Sequence, residues 1–372
     1  MHKSAIRYLE RRAIRDTSYR YQDVVLFQAV IQRAAVSGTY HKMSSNVPPT
    51  YLITAASGNI GKRLVPLLLS QPSKSTLILP TSNPDRLASQ LQTKADEPHV
   101  KIIHGDVQDP IFLETTFKAH HVTAAFVCLT GENELMVTLN FFDAMKRAGT
   151  VKHLVYLSAC GDFDLDAIQS GKLHGNAAGH VLVKPIIEAK LRYGFPIPRG
   201  QPGGFSWTII GPSLFFGNDL RSKQSILKQG FFDEPLGSKG VSRVDPGDIA
   251  LAVSNALQDD GKVWAGKKVM IGSLETYSNI AVAKLWSEAL GIDVTPAKSD
   301  EEGLAAFEEL YRPRMKSIWA RDLRLMYEWF DVHGFGMTEA EFQDQVALLG
   351  RAPGSYEQFV SNIAEDWKIE LA

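Results

Sequence analysis

From residue 50 onward, apolar and polar positions follow a regular rhythm of strands and helices. Five short apolar runs are typical of buried strands: 51–54, 75–79, 100–104, 124–129 and 153–158. Helical periodicity fills the stretches between them, at 61–69, 84–92, 133–148 and before His120. Strands and helices that alternate in this way form a parallel sheet with helices on both faces. The pattern therefore predicts an α/β fold with a doubly wound, Rossmann-type parallel sheet.

The second half of the chain is mainly helical. One more strand is predicted at 207–210, followed by amphipathic helices at 279–290, 302–311 and 339–349. These helices are expected to cover the sheet and a pocket beside it. We predict three parts: an N-terminal extension at 1–48, a nucleotide-binding domain at 49–215, and a smaller, mostly helical substrate lobe at 216–372 with strands that return to the sheet.

Composition narrows the possible classes. The chain has 372 residues, with 40 Lys and Arg against 41 Asp and Glu, so it offers no basic surface for nucleic acid, and we expect no direct nucleic-acid partner. No apolar run approaches the roughly 18 residues that a membrane helix needs, so no membrane contact is expected. The two cysteines, Cys128 and Cys160, have neither disulfide nor metal spacing, which favours a reducing, cytoplasmic location.

The neutral total hides a basic N-terminus. Residues 1–48 carry eight Lys and Arg against three Asp and Glu. Arg7, Arg11 and Arg15 share one helical face, as in a mitochondrial presequence, but the acidic residues break the pattern of such segments. Three interpretations stay open: a dispensable, flexible extension before Met43, a targeting segment, or a partner-binding helix. Nuclear entry and organelle targeting are therefore left open beside the cytoplasmic location.

Residues 55–61 predict a tight turn between the first strand and the first helix. The turn contains Gly58 and Gly61, where side chains are missing and a pyrophosphate approaches the backbone closely. Free amides and the positive end of the helix would then hold the anion. This context predicts a dinucleotide-binding site.

The end of the second strand indicates which dinucleotide binds. An acidic residue about 20 positions after the turn would bind the ribose of NAD, whereas a polar or basic group would bind the 2′-phosphate of NADP. Here the strand is followed by Ser82 and Asn83, with Arg86 three positions later. We therefore expect NADP(H), with NAD as the alternative. Under a purely structural interpretation, Ser82 and Asn83 cap the next helix, and Arg86 is a surface cation.

At this point the sequence resembles the NmrA-like branch of the atypical short-chain dehydrogenase/reductase family. The resemblance rests on the turn at 54–61, on Gly-Asp-Val at 105–107, on Leu-Thr-Gly at 129–131, and on the segments 151–158, 244–250 and 349–360. It covers almost everything after residue 50. Ala55 departs from the family pattern, which has Gly at the start of the turn. We expect an adjusted turn that still binds the cofactor.

The glycine turn and this resemblance together imply a set of cofactor-binding residues. They are Thr54, Ala55, Ser57, Gly58, Asn59, Ile60, Gly61, Ser82, Arg86, Asp106, Val107, Leu129, Thr130, Gly131, Ser158 and Lys184.

The catalytic residues are harder to find. Typical short-chain dehydrogenases use Tyr-x-x-x-Lys, but no tyrosine of this chain has a lysine four residues later. His180 and Lys184 have the spacing of the His-x-x-x-Lys motif found in many NmrA-like proteins, which makes Lys184 a candidate proton donor and His180 its partner. Under the structural interpretation, both are ordinary surface or loop residues. Pro185 predicts that Lys184 lies at or before the start of a helix.

Phe215 and Phe216 follow the strand at 207–210 and are candidates for the wall of a flat, apolar substrate pocket. The chain contains no motif with metal-ligand spacing and no Gly-x-Ser-x-Gly elbow, so we expect no metal and no hydrolase chemistry.

Two functions remain. The first is an NADPH-dependent oxidoreductase that reduces a small quinone-like, enone, carbonyl or imine substrate. The second is a regulator that senses NAD(P) without turnover and acts through a protein partner.

Overall fold

The short apolar runs form the strands of the computed structural model. In chain order they are β1 (Thr50–Ile53), β2 (Thr76–Thr81), β3 (Val100–His104), β4 (Ala124–Val127), β5 (His153–Leu157), β6 (Ser206–Pro212), β7 (Leu214–Phe215), β8 (Phe231–Phe232), β9 (Val241–Val244), β10 (Lys267–Ile271), β11 (Thr276–Tyr277) and β12 (Thr295–Pro296). The structure describes residues 48–371 apart from 73, 130–131, 172, 174 and 195–198, and describes only the backbone of 93, 94 and 371. The predicted extension at 1–48, except for Pro48, lies outside the described residues.

Seven of these strands form one parallel sheet in the order β10-β6-β5-β4-β1-β2-β3. The chain moves outward from β1 to β3 and then returns to place β4 on the other side of β1. The carboxyl ends of β1 and β4 therefore lie at a topological switch point, where parallel sheets of this type bind ligands. The short strands form two small additional sheets, ordered β11-β9-β7 and β12-β8.

Helices connect the strands and extend the second half of the chain. They are α1 (Gly61–Leu69), α2 (Pro84–Leu91), α3 (Pro110–Ala119), α4 (Glu134–Ala148), α5 (Leu165–Gln169), α6 (Gly179–Tyr193), α7 (Lys223–Gln229), α8 (Pro246–Asp259), α9 (Asn279–Leu290), α10 (Glu301–Tyr311), α11 (Ser317–His333), α12 (Glu339–Leu349) and α13 (Tyr356–Leu371). Two 3₁₀ helices lie at Gln92–Asp96 and Phe216–Ser222. Among the described helices, none combines the length and apolar character needed to cross a membrane.

The sheet is buried on both faces, which explains its nearly continuous apolar strands. Tyr51 and Ile53 of β1 face the core formed with α1, α8 and α12, whereas Leu52 faces the core formed with α3, α4 and α6. A third core lies within the C-terminal half, around the fully buried Trp286 and Tyr327. The predicted α/β fold, with its doubly wound parallel Rossmann sheet and mostly helical C-terminal region, is confirmed.

One local prediction is wrong. Pro185 does not force Lys184 to the start of a helix, because α6 begins at Gly179 and continues through both residues. The proline removes one amide donor from the helix, so the carbonyl of Val181 loses its usual partner. Lys184 and Pro185 are both buried, and tertiary packing therefore outweighs the local preference.

A buried histidine at the start of β5 is held in its neutral form. Nδ1 of His153 lies 2.8 Å from Oγ of Ser206, and Nε2 lies 3.3 Å from Oγ1 of Thr208. Burial, helped by the nearby Arg199 charge, lowers the pKa of His153 from 6.5 to about 4. The folded protein therefore resists protonation at this position.

We expect this histidine to make stability depend on pH. The unfolded chain binds a proton near pH 6.5, but the folded chain binds it only near pH 4, so the free energy of unfolding should fall as pH drops through this interval. The expected slope is about 1.4 kcal/mol per pH unit. Urea unfolding at several pH values should show the slope reduced by that amount in His153→Gln and unchanged in His104→Gln, an exposed control. An equal slope in all three proteins would contradict the assignment.

Candidate functional site

The turn after β1 is anchored by a buried threonine. The Thr54 hydroxyl accepts a hydrogen bond from the amide of Cys128 at 2.8 Å and lies 3.2 Å from the carbonyl oxygens of Phe126 and Cys128. This side chain therefore joins the carboxyl ends of β1 and β4. The predicted cofactor residue Thr54 positions the turn, and its hydroxyl is occupied by these contacts.

The turn itself has little room for side chains. Ala55 adopts a left-handed backbone conformation with φ of 51°, and its carbonyl accepts a hydrogen bond from the Gly58 amide at 2.9 Å. A Cβ atom on Gly61 would lie 2.3 Å from that carbonyl oxygen and 2.5 Å from the Cα of Ala56. Only glycine fits at position 61. Ala55 is compatible with the turn, but it adopts a left-handed conformation that is less favourable for alanine than for glycine.

Free backbone donors lie at the same turn. α1 begins without a side-chain cap, and within the described residues the amides of Asn59, Ile60 and Gly61 donate no hydrogen bond. Ser57 and Asn59 are exposed beside them. The amides at this helix N-terminus are unsatisfied, and the glycines leave room for a ligand beside the backbone. Such an arrangement fits a pyrophosphate group.

After β2, one side chain caps a helix and two others are accessible to a ligand. Asn83 caps α2, because its Oδ1 accepts a hydrogen bond from the Arg86 amide at 3.0 Å. The Arg86 side chain is exposed and makes no hydrogen bond or ion pair with the described residues. Ser82 is exposed as well. Ser82 and Arg86 are thus accessible to a ligand, whereas the Asn83 side chain is engaged in capping.

The remaining predicted cofactor residues follow β3, β4 and β5. Asp106 is exposed, and its Oδ1 accepts a hydrogen bond from the Gln108 amide at 2.9 Å. Val107 and Leu129 are half-buried against the core beneath α3 and α4. Thr130 and Gly131 lie outside the described residues.

A buried ion pair lies beyond the fourth strand. Lys184 of α6 donates a hydrogen bond to Oε1 of Glu134, and the Tyr156 hydroxyl donates to the same oxygen at 3.1 Å. The side chains of Lys184 and Glu134 are only 8% and 3% exposed. Burial, with a further contribution from Glu134, raises the pKa of Tyr156 well above its usual value, so the phenol stays protonated. Lys184 is therefore held in one orientation.

A second buried network lies next to the first. Glu188 accepts hydrogen bonds from the Ser158 hydroxyl at 2.5 Å and from Lys268 at 2.7 Å. Lys268 also donates to the carbonyl of Gly161 at 2.7 Å, and burial lowers its pKa despite the nearby Glu188. This network orients Ser158, a predicted cofactor residue, at the carboxyl end of β5.

His180 is held by the C-terminal half of the chain. Its Nδ1 bonds to Oδ2 of Asp322 in α11, and the other oxygen of Asp322 accepts a hydrogen bond from the Gly179 amide at 2.6 Å. The ring lies 5.9 Å from that of Trp319. His180 thus links α6 to α11 and does not contact Lys184 directly among the contacts of the described residues.

Both predicted catalytic residues line one cavity of about 460 Å³ at the carboxyl ends of β5 and β6. Ser158, His180, Lys184 and Phe215 all form part of its wall. Phe216 does not, because it is buried in the C-terminal core against Tyr356 and Phe359. The volume suits a small organic ligand.

Sequence reasoning missed two parts of this wall. Glu134 stands near the predicted start of a helix, where nothing in the local pattern distinguishes it from a surface residue. The other part is one face of α11, whose residues recur at helical spacing: Trp319, Leu323, Met326 and Phe330. The aromatic rings of Trp319 and Phe330 were a visible signal, but the same spacing describes an ordinary core helix.

No group of three or more His, Cys, Asp or Glu side chains among the described residues is arranged to hold a metal ion. Burial raises the pKa of the Cys128 and Cys160 thiols to about 11, so both remain protonated near neutral pH. Neither thiol therefore acts as a nucleophile or a metal ligand in this state.

A family model described as NAD(P)H-binding matches residues 55–260, which run from the glycine turn after β1 to the end of α8. The chain belongs to the NAD(P)H-binding family. NAD(P)H is accordingly its cofactor class, as the sequence predicted. A curated relative, an NAD(P)H azoreductase from Xenophilus azovorans, is 27% identical over 213 residues. That match spans 56% of this chain and 64% of the relative.

Several solved structures share the fold. An NADPH-dependent quinone oxidoreductase from Escherichia coli has a TM-score of 0.66 at 18% identity, over 84% of this chain and 99% of its own. Triphenylmethane reductase from Citrobacter sp., solved with NADP(H), has a TM-score of 0.64 at 19% identity, with coverage of 85% and 99%. NmrA, a negative transcriptional regulator solved with NADP, has a TM-score of 0.61 at 16% identity, with coverage of 87% and 98%. The NmrA-like resemblance is therefore confirmed at the level of the fold.

We expect Gly61→Ala to damage the turn. The added methyl group would collide with backbone atoms of the turn, so stability should fall by about 1–3 kcal/mol, and NADPH affinity should fall as the amides move. Gly217→Ala is the matched control, because a Cβ atom there meets nothing within 4 Å. Urea unfolding and fluorescence titration with NADPH measure the two effects. Equal behaviour of the two variants would contradict the geometry.

Proposed function

We propose that this protein is an NADPH-dependent reductase of a small, largely apolar electron acceptor. The observation that carries the proposal is the position of Lys184. This buried lysine, held by Glu134, lines an aromatic cavity at the same sheet edge as the dinucleotide turn. A hydrogen-bond donor and a largely apolar cavity near the cofactor site are what reduction of a carbonyl, imine or quinone needs.

Residues of the first half would hold the cofactor. The amides at 59–61 would bind its pyrophosphate, Arg86 and Ser82 its 2′-phosphate, and Asp106 would lie beside the adenine. Ser158 and Lys184 lie at the sheet edge nearer the substrate cavity. When bound, NADPH supplies a hydride.

Lys184 would act on the acceptor atom of the substrate. Its ammonium group would donate a hydrogen bond, and then a proton, to the oxygen or nitrogen that gains negative charge during reduction. Glu134 accepts a hydrogen bond from this ammonium group and fixes its direction. Tyr156 supports Glu134 and does not deliver the proton, since its hydroxyl is directed at that carboxylate. His180, bound to Asp322, positions the wall of the cavity.

A regulator that senses NAD(P) and acts through a protein partner is the second candidate. It is favoured by the likeness to NmrA, a negative transcriptional regulator solved with NADP and with NAD. The missing Tyr-x-x-x-Lys motif also favours it. The two candidates differ in turnover, which the regulator lacks.

We expect Arg86 to select the cofactor. Replacing it with Ala removes the only charge that the proposal assigns to the 2′-phosphate, so NADPH affinity should fall about tenfold while NADH affinity stays unchanged. Fluorescence titration of both cofactors measures the ratio. Lys118→Ala, which removes an exposed cation from α3, is the control. Equal losses for NADPH and NADH in Arg86→Ala would remove Arg86 from the 2′-phosphate site.

We expect Lys184→Met to lower kcat for NADPH oxidation by 1,4-naphthoquinone about 100-fold or more, because the proton donor is lost. NADPH affinity should change much less. Glu134→Gln should also lower kcat, since it removes the carboxylate that directs the ammonium group. Lys190→Met, on the exposed side of the same helix, is the control.

Steady-state kinetics and NADPH titration distinguish the candidates. Full turnover in Lys184→Met would refute the role of this lysine. A wild-type protein that binds NADPH and reduces no compound in a panel of quinones, imines and enones would favour the regulator.

A further inference from the structure

Each cation at the cavity wall is matched by a buried carboxylate. Lys184 donates to Glu134, which is 3% exposed. Arg221 donates to Oε1 of Glu234 through Nη2 at 2.6 Å and through Nε at 3.1 Å, and the Glu234 side chain is fully buried. The Arg221 side chain is 31% exposed and faces the cavity. Neither cation is therefore left as an uncompensated positive charge.

The other ionisable groups in this wall are also neutral or paired. His180 is bonded to Asp322. Asp162 has an interaction partner as well. Burial raises the pKa of Cys160 to about 11, so its thiol is uncharged. Within the described residues, the buried part of the cavity wall therefore presents little net charge to a ligand, because its one carboxylate besides Glu134, that of Asp162, is exposed to solvent.

The rest of the wall is mostly apolar and aromatic. α11 contributes the Trp319 to Phe330 face, and Phe163 and Phe215 come from the loop after β5 and from β7. Asn176 and Asn218 add uncharged polar groups. Aromatic walls bind flat rings by stacking and edge contacts, and burying an unpaired ligand charge in such a cavity is costly.

We propose that the cavity selects uncharged, planar aromatic electron acceptors and discriminates against anionic and cationic analogues of the same size. The selectivity comes from the internal pairing of the wall charges, which leaves no uncompensated charge to balance that of a charged substituent. That the selected compounds are electron acceptors rests on the proposed function, but the binding selectivity can be tested separately from turnover.

Isothermal titration calorimetry on the full-length protein, with saturating NADP⁺, tests the selectivity with three redox-inert probes of one ring system. They are 2-methoxynaphthalene, naphthalene-2-sulfonate and 2-naphthyltrimethylammonium. We expect the neutral compound to bind at least tenfold more tightly than either ion. The ammonium compound provides the strictest test, because aromatic faces also attract cations. Equal affinities, or tighter binding of either ion, would overturn the proposal.

Removing one of the buried carboxylates should leave the charge of its cation uncompensated and able to pair with an anionic ligand. Glu234→Gln leaves Arg221 unpaired and should raise sulfonate affinity at least tenfold, with the neutral probe changed less than twofold. Glu134→Gln should act in the same way through Lys184, and it provides an independent test if Glu234→Gln does not fold. Glu114→Gln, which changes net charge equally at a half-buried site on α3 outside the cavity wall, should leave all three affinities unchanged. Unchanged sulfonate binding in the folded carboxylate variants would overturn the proposal.

Parallel NADPH oxidation assays separate this inference from the proposed function. Neutral selectivity with no reduction of 1,4-naphthoquinone or any other acceptor would refute the reductase and leave the binding inference standing. Reduction of 1,4-naphthoquinone and its 2-sulfonate with equal kcat/KM would refute the selectivity and leave the reductase standing.

Discussion

The candidate site depends on one buried carboxylate. Glu134 is the first residue of α4, and a single oxygen of its side chain accepts hydrogen bonds from Lys184 of α6 and Tyr156 of β5. A lysine or a glutamate buried alone would be strongly destabilising, so each requires the other. The helix N-terminus adds a further favourable interaction with the negative charge. This constraint explains why α6 runs through Pro185: its middle, rather than its end, must reach the sheet edge.

The second constraint is the order of the strands. Because β4 returns to the opposite side of β1, the glycine turn, the ends of β4 and β5 and the start of the cavity all lie along one edge of the sheet. The Thr54 hydroxyl connects β1 to β4 at this edge. The glycine turn and the cavity therefore lie along the same edge of the sheet for a topological reason. The C-terminal half then closes the cavity with one face of α11.

The fold could be predicted from sequence to a large extent. Buried parallel strands need continuous apolar runs, and their alternation with amphipathic helices leaves few possible topologies. The turn was predictable because Gly61 is required by the close backbone of Ala55 and Ala56, which lie only five and six positions earlier in the chain. The residues of the candidate site were harder to predict from the sequence. Asn83 could either cap α2 or face a ligand, and in the structure its side chain caps the helix. Phe215 and Phe216 are neighbours, yet only Phe215 reaches the cavity, because the backbone directs them to different sides.

The sequence by itself determined the parallel sheet, the glycine turn and the family resemblance, since each depends on local periodicity or on contacts between residues close in the chain. Only the tertiary structure decided that Glu134 pairs with Lys184, that Asp322 holds His180, and that α11 supplies the aromatic wall. These pairs are separated by 50 and 142 positions. Partners at such distances are chosen by how helices pack across the sheet edge, and a charged or aromatic residue looks the same in sequence whether it faces a cavity, a core or water.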